Sequence, residues 1–490
     1  MAYKNLQWFA RGGTHLNYYM WWGGYNRGRD AAAGIMNMYA SDAVLCPSGE
    51  RRQPKFSHFE SMHEAMRDVA GILLAAPTAL YQNRPVEIQQ DDGTWTNGTE
   101  QNLFFYSVEV QGQRTREVAF VENNAESSYI VRVFLQNGAF EHIFEMPAKS
   151  AVLLVDGMVA FESASLEPHA TSFTRKTTYG QAYLLDWASW NEPVGTSSGG
   201  HLARTDDHPV EQTKLNVNAS ILSDYAWYDT DFVADTELKH AFLLVETWQA
   251  NAFVVYIDGR CVGGADTHQH KEGPVTLNIT ITGSISSGGH TLSVLSESLG
   301  YGNLVGRWGG STQAKAKGIT GIVYLISPQL DQAISLVDGR EWRSMGGLHG
   351  ERAGKVGIFR QELVNNLAQP WDGSASGGLW SSALFDTPRY DSSTQSLFLQ
   401  INTGRGHLWL NGIDLGRYWN ITRGNTTSDY SQQYYFLPPD LLFMDGKLNE
   451  LVFFDAFGGT YQGPRLVTSW ITQSNEETFE DTVGYPDACL

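Results

Sequence analysis

A chain does chemistry when it brings together two carboxyl groups of different proton affinity, a nucleophile beside a base, or a set of metal ligands, and few residues here are spaced for any of these. Glu60 and Glu64 stand four apart, on one face of a helix, with Ser57 ahead of them as a capping box; a cap and a solvated face account for both. Trp190-Asn191-Glu192-Pro193 sets one further carboxyl behind an asparagine. His15 and His63 have no companion ligands at metal spacing, and Cys46, Cys261 and Cys489 are too dispersed for a zinc site and allow at most one disulfide. Neither a metal nor an organic cofactor is indicated. Trp21, Trp22, Trp308, Trp409, Tyr418 and Trp419 offer ring faces that either stack on the C–H surface of a sugar or fill a core. Glycosylation sequons begin at Asn97, Asn218, Asn278, Asn420 and Asn425.

These side chains need a frame, and composition says which. At 490 residues the chain exceeds one compact core, so three or four domains are expected. Fifty glycines, 12% aromatic and only 18% charged residues favour short strands joined by tight turns, a mainly β chain. A net charge of -19 repels phosphate backbones and anionic membrane surfaces and excludes nucleic acid as a partner class. That acidity serves either solubility or life in an acidic compartment. No apolar run is long enough to span a bilayer, and no signal pattern is visible at Met1.

The first 77 residues differ from the rest. Tyr3, Leu6 and Phe9 predict a helix over 2–11 stopped by Gly12-Gly13, residues 15–22 read as a buried strand, and Phe59, Met62, Met66, Val69 and Leu73 predict a second helix over 57–77 closed by Pro77. Helix, strand, long loop and helix make one unit of a parallel β/α barrel, which implies neighbouring strands outside this chain. After residue 78 period-two alternation takes over. Strands are expected at 116–125, 129–137, 141–146 and 150–162, and, after a linker over 165–210, at 241–245, 252–257, 275–281, 290–295, 396–401, 407–410 and 450–454. Asp258-Gly259 and Asn411-Gly412 end two similar strands, as in two jelly-roll sandwiches. The domains are therefore drawn as a barrel remnant at 1–77, a small β domain at 78–175, and jelly rolls at 176–339 and 340–490.

Arg11-Gly12-Gly13-Thr14, Asn17-Tyr18-Tyr19-Met20 and Gly23-Gly24-Tyr25-Asn26-Arg27-Gly28-Arg29 resemble, in order and spacing, the signature of family 35 glycoside hydrolases, with Tyr25 and Arg27 in place of the usual threonine and phenylalanine. Arg52-Gln53-Pro54-Lys55-Phe56, Ser223-Asp224-Tyr225-Ala226-Trp227-Tyr228 and Leu408-Trp409-Leu410-Asn411-Gly412-Ile413-Asp414-Leu415-Gly416-Arg417-Tyr418-Trp419 extend the resemblance to plant-type β-galactosidases along nearly the whole chain. The resemblance implies a C-terminal portion of a retaining β-galactosidase acting on terminal β-galactosides or oligosaccharides, in the secretory pathway, with jelly rolls following the end of a (β/α)8 barrel. Retaining chemistry needs two carboxyls about 5–5.5 Å apart. The family's two catalytic positions precede Met1, so no catalytic residue is carried over, and Glu192 is read as a mimic of a catalytic Asn-Glu. Where relatives carry a sugar-contacting tyrosine loop, this chain has Tyr39-Ala40-Ser41-Asp42; Ser41 aligns with the contacting tyrosine and Tyr39 is the remaining substrate-binding candidate. The resemblance also leaves open a non-catalytic carbohydrate-binding or scaffold chain.

Overall fold

The computed structural model describes the chain apart from residues 32–36, 38–42, 53, 76–81, 111–112, 136–139, 166–171, 180–184, 197–202, 216–222, 249, 268–273, 302–315, 353–373, 376–377, 391–394, 402–403, 420–433, 445, 458, 461–463 and 475–490. It is mainly β and divides into two compact units: one holds residues 1–22, 43–174 and 473–478, the other residues 23–42, 175–472 and 479–490.

In the first unit, helices Ala2–Ala10 and Lys55–Ala75 lie on one face of a seven-stranded antiparallel sheet. Its strands run, in spatial order, Phe140–Met146, Tyr129–Leu135, Gln82–Gln89, Trp95–Val110, Gln113–Asn123, Ser150–Val155, Met158–Glu162. Leu6, Phe59, Met62 and Val69 of the helices meet Phe104, Phe120, Leu153 and Phe161 in one core, while Leu103, Phe105, Val121, Val131, Val133 and Leu154 form another on the opposite face. Alternation within a single strand, Phe104 to one side and Phe105 to the other, is what serves two cores. The first helix is tied down by Arg11, whose guanidinium grips the fully buried Glu122 through both oxygens at 2.5 and 2.8 Å.

Both predicted helices exist, the second starting at Lys55, so that Ser57 lies inside its first turn. The strand expected at 15–22 does not form: there is one isolated parallel bridge, Trp22 to Leu45. A parallel strand needs a ladder of partners, and among the described residues only Leu45, at the far end, bridges this segment. Tyr18 and Trp21 pack instead on Phe59 and His63 of the second helix, while Tyr19 is 89% exposed.

The second unit holds two sandwiches. One pairs a sheet of Arg204–Asp206, Trp342–Gly346, Tyr225–Ala234, Gly288–Ser298, Asn251–Ile257 and Arg260–Asp266 with a sheet of Val275–Thr280, Phe242–Thr247, Val323–Ile326 and Ile334–Ser335. The other pairs Ile413–Trp419, Arg405–Leu410, Asn449–Asp455, Leu379–Phe385 and Leu185–Asn191 with Tyr434–Phe436, Gln395–Gln400, Arg465–Ser474 and Ser172–Tyr179. The sheets cross the boundaries drawn from sequence. Ser172–Tyr179 and Leu185–Asn191, within the expected linker, belong to the C-terminal sandwich, and Trp342–Gly346, beyond residue 340, completes the N-terminal one. Hairpin chemistry follows the sequence: Asp156-Gly157, Asp258-Gly259 and Asn411-Gly412 all have positive φ at both residues, the twist that a two-residue turn between antiparallel strands demands.

Gly406 marks the tightest approach. A β-carbon there would stand 1.6 Å from the carbonyl oxygen of Phe454 on the neighbouring strand, and backbone cannot swing aside. Gly406→Ala is expected to cost about 3 kcal/mol or more, read as a lowered urea midpoint; an unchanged midpoint would refute the close pairing.

Candidate functional site

Where the two sandwiches meet, their facing sheets share a core. Tyr225, Trp227, Val254, Tyr256 and Leu295 of one interdigitate with Trp380, Trp409, Val452 and Phe454 of the other, Trp380 stacking on Trp409 at 5.4 Å. Into this apolar layer the strand Leu185–Asn191 delivers Glu192, 4% exposed. Its carboxylate accepts four hydrogen bonds: from the indoles of Trp227 (3.3 Å) and Trp380 (2.7 Å), and from the backbone amides of His349 (2.5 Å) and Gly350 (3.2 Å). Burial pushes the acid up to about 7, against the pull of those four donors. A carboxyl so enclosed orders the junction and offers no open oxygen to a substrate.

Beside it lies a second buried polar group. Asp224 binds Arg29 at 3.0 Å and Arg417 at 3.3 Å, and Arg417 also donates to the carbonyl of Ala31 at 2.5 Å. Glu297 accepts from Tyr225 at 2.9 Å and Glu351 from Ser223 at 2.5 Å; burial raises the first to about 8 and the second to about 7. His407, also buried, bonds Asp414 at 2.6 Å. Burial opposes charge on that ring, but the carboxylates of Asp414, Asp224 and Glu351 outweigh it and raise its pKa. The loop that carries Arg29 is thus riveted to both sandwiches, further held by Asn37 to Leu415 at 3.1 Å and Tyr25 to Phe436 at 3.1 Å.

An open, polar cleft of about 560 Å³ occurs at one end of the N-terminal sandwich, floored by Ile257, Val262, Ile281 and Ile285 and rimmed by Glu237, Asp258, Arg260 and Thr282. His290 closes one side. Its two ring nitrogens face Asp258 at 2.7 Å and the carbonyl of Ser286 at 2.8 Å. Both partners accept, an arrangement that favours the protonated ring; burial disfavours charge there, yet the hydrogen bonds win and raise its pKa. An apolar floor with a hydrogen-bonding rim suits a small polyhydroxylated ligand.

The sequence candidates are scattered. Tyr39 and Ser41, with Asn218, Asn420, Asn425, Trp308 and Cys489, lie outside the described residues. Trp409 and Tyr418 are buried and serve as core, not as a platform. Glu60 and Glu64 are exposed, Cys46 and Cys261 are free thiols, and His63 bonds Tyr18 at 2.7 Å. Asp206, Asp207 and His208 bring potential metal ligands within 4.8 Å, but a hydrogen bond between His208 and Asp207 and a 3.4 Å contact to Asp206 already explain that grouping. Sequence reasoning missed Asp224, Glu297, Glu351 and Arg417 as a network, since nothing local marks residues that meet across 72 to 193 positions.

With this geometry in hand, comparison is informative. The family model for the galactose-binding domain of β-galactosidase matches residues 379–446, which lie in the C-terminal sandwich. Beta-galactosidase 8 of Arabidopsis thaliana is 27% identical over 497 residues, spanning 94% of this chain and 53% of the relative; Beta-galactosidase 6 of Oryza sativa subsp. japonica is 25% identical, spanning 94% and 53%. Along nearly its whole length, the chain is similar in sequence to plant β-galactosidases. It spans about half the length of these relatives. Among solved structures, the α-L-rhamnosidase of Streptomyces avermitilis is 15% identical over 80% of this chain and 36% of its own, at a TM-score of 0.18, too loose a superposition to carry an argument. No helix among the described residues is long and apolar enough to cross a membrane.

Proposed function

We propose that this chain is the C-terminal part of a retaining β-galactosidase of glycoside hydrolase family 35, which removes terminal non-reducing β-D-galactosyl residues from glycans or glycoconjugates in the secretory pathway. One observation carries the reading: similarity to β-galactosidases runs along 94% of this chain yet covers only 53% of the relative. Both catalytic glutamates then belong to the uncovered half. The burial of Glu192 among four donors is consistent with that division, since Asn191-Glu192, the pair read as a mimic of a catalytic motif, is closed to substrate. Tyr19 at 89% and Trp22 at 45% exposure, beside Trp8 at 50%, leave aromatic surface of the kind that further barrel strands would cover.

The purified 490-residue chain, made in a host lacking its own β-galactosidase, is expected to release no chromophore from a nitrophenyl β-galactoside. Turnover above the blank would overturn the reading. The match of residues 379–446 to a galactose-binding domain favours a second activity, reversible binding of galactosides by the same chain. Calorimetric titration with lactose distinguishes the two: binding without turnover fits both, and the absence of binding removes the second.

A further inference from the structure

We propose that Asn97 carries an N-linked oligosaccharide whose first sugar lies against the ring of Trp95, on an exposed part of one face of the seven-stranded sheet in the first unit. The occupant is this chain's own glycan, and the face is built for it. Asn97 is exposed on the strand Trp95–Val110 and heads the sequon Asn97-Gly98-Thr99. Registry places Asn97 opposite Glu87, Glu87 opposite Arg132 and Arg132 opposite Ile143, so these four side chains form one row on one face. Trp95, two residues before Asn97, stands on the same face, about 7 Å along the strand.

That part of the face is braced by charged contacts and exposed. Arg132 bonds Glu87 at 2.6 Å, reaches Glu141 at 3.5 Å, and lies 4.3 Å from the Trp95 ring and 5.5 Å from Phe134. Around this fixed guanidinium, Ile130, Phe134 and Ile143 are 43%, 39% and 53% exposed. A pyranose has an apolar C–H face and a polar rim. Its C–H face would rest on the indole and the flanking apolar side chains, while its hydroxyl and acetamido groups meet Glu87, Arg132 and Glu141. Asn278 is also exposed on its strand, where its same-face neighbours are Thr276 and Thr280, so no indole stands two residues away from it on the same strand as Trp95 does from Asn97.

The attachment requires passage through a compartment that holds a polyprenyl-diphosphate oligosaccharide. The Asn97 amide nitrogen forms a bond to the anomeric carbon, the anomeric C–O bond breaks, the diphosphate leaves with the electron pair, and the amide proton passes to a base of the transferase. The test expresses the chain behind a secretion leader in a eukaryotic host and maps its peptides by mass. Asn97 should be occupied, and Thr99→Val should abolish the modification. Enzymatic removal of the glycan should speed amide exchange severalfold in Gln82–Gln89 and Trp95–Val110 of the unmutated chain. In Trp95→Ala the site should stay occupied, while the exchange difference between glycosylated and stripped chain should vanish. Secreted chain with Asn97 unmodified would overturn the proposal. So would an occupied site whose removal leaves exchange unchanged, or a Trp95→Ala variant that keeps the full difference.

Discussion

Glu192→Ala is expected to loosen the two sandwiches more than any other single truncation in the chain. The substitution strands two indole N–H groups and two backbone amides inside an apolar layer, and each buried donor left unpaired costs about 1–3 kcal/mol. The emptied space adds a cavity term. Together these approach the whole stability of an ordinary domain, ~5–15 kcal/mol. The unfolding midpoint should collapse, or the second unit should fail to fold, with the fluorescence of Trp227 and Trp380 moving to the red. Glu192→Gln retains one acceptor oxygen but turns an amide toward donors, so an intermediate loss is expected. A Glu192→Ala variant within about 0.5 kcal/mol of the parent, the range of ordinary surface substitutions, would show that the carboxyl does not organise the junction.

The second large effect is a fall in stability between about pH 4.5 and 8. Burial holds Glu192 and Glu351 at about 7 and Glu297 at about 8. In the unfolded chain these acids ionise at the usual glutamate value, about 4.3. A group raised on folding contributes fully below its unfolded pKa and loses that contribution as pH climbs to its folded one, at about 1.4 kcal/mol per pH unit for each group. His407, also raised, acts in the same direction. The buried Lys317, lowered to about 7 by burial first of all, works the other way but only above that pH, where the unfolded lysine is still charged. Asp414, which its bond to His407 holds low despite burial, sets the acid limit: its contribution is lost as pH falls through its folded pKa. Urea midpoints should therefore be highest near pH 4.5–5 and lowest near 8, and Glu297→Gln and Glu351→Gln should flatten the slope. A midpoint that rises steadily from 5 to 8 would sink this account.

Much of this molecule is legible without coordinates wherever the information is local. The stripe from Phe59 to Val69 specifies a helix because side chains three and four apart share a face, and the structure has that helix. Asp156-Gly157, Asp258-Gly259 and Asn411-Gly412 specify hairpins because those residue pairs adopt positive φ at little cost. The motifs between Arg11 and Arg29 and between Leu408 and Trp419 identify relatives by residue order alone. Tertiary structure decided what depends on partners distant in sequence. Leu185–Asn191 pairs with Leu379–Phe385 and not with its near neighbours, which is why a stretch read as linker is a strand of the far sandwich. Residues 15–22 carry an apolar run fit for a strand, but a ladder needs neighbours to supply its hydrogen bonds, and the run packs side-on against a helix. Nothing local in the sequence marks the carboxyls of Glu192 and Glu297 as unusual acids; only the closing of two sheets over them removes their water and pushes their pKa values up.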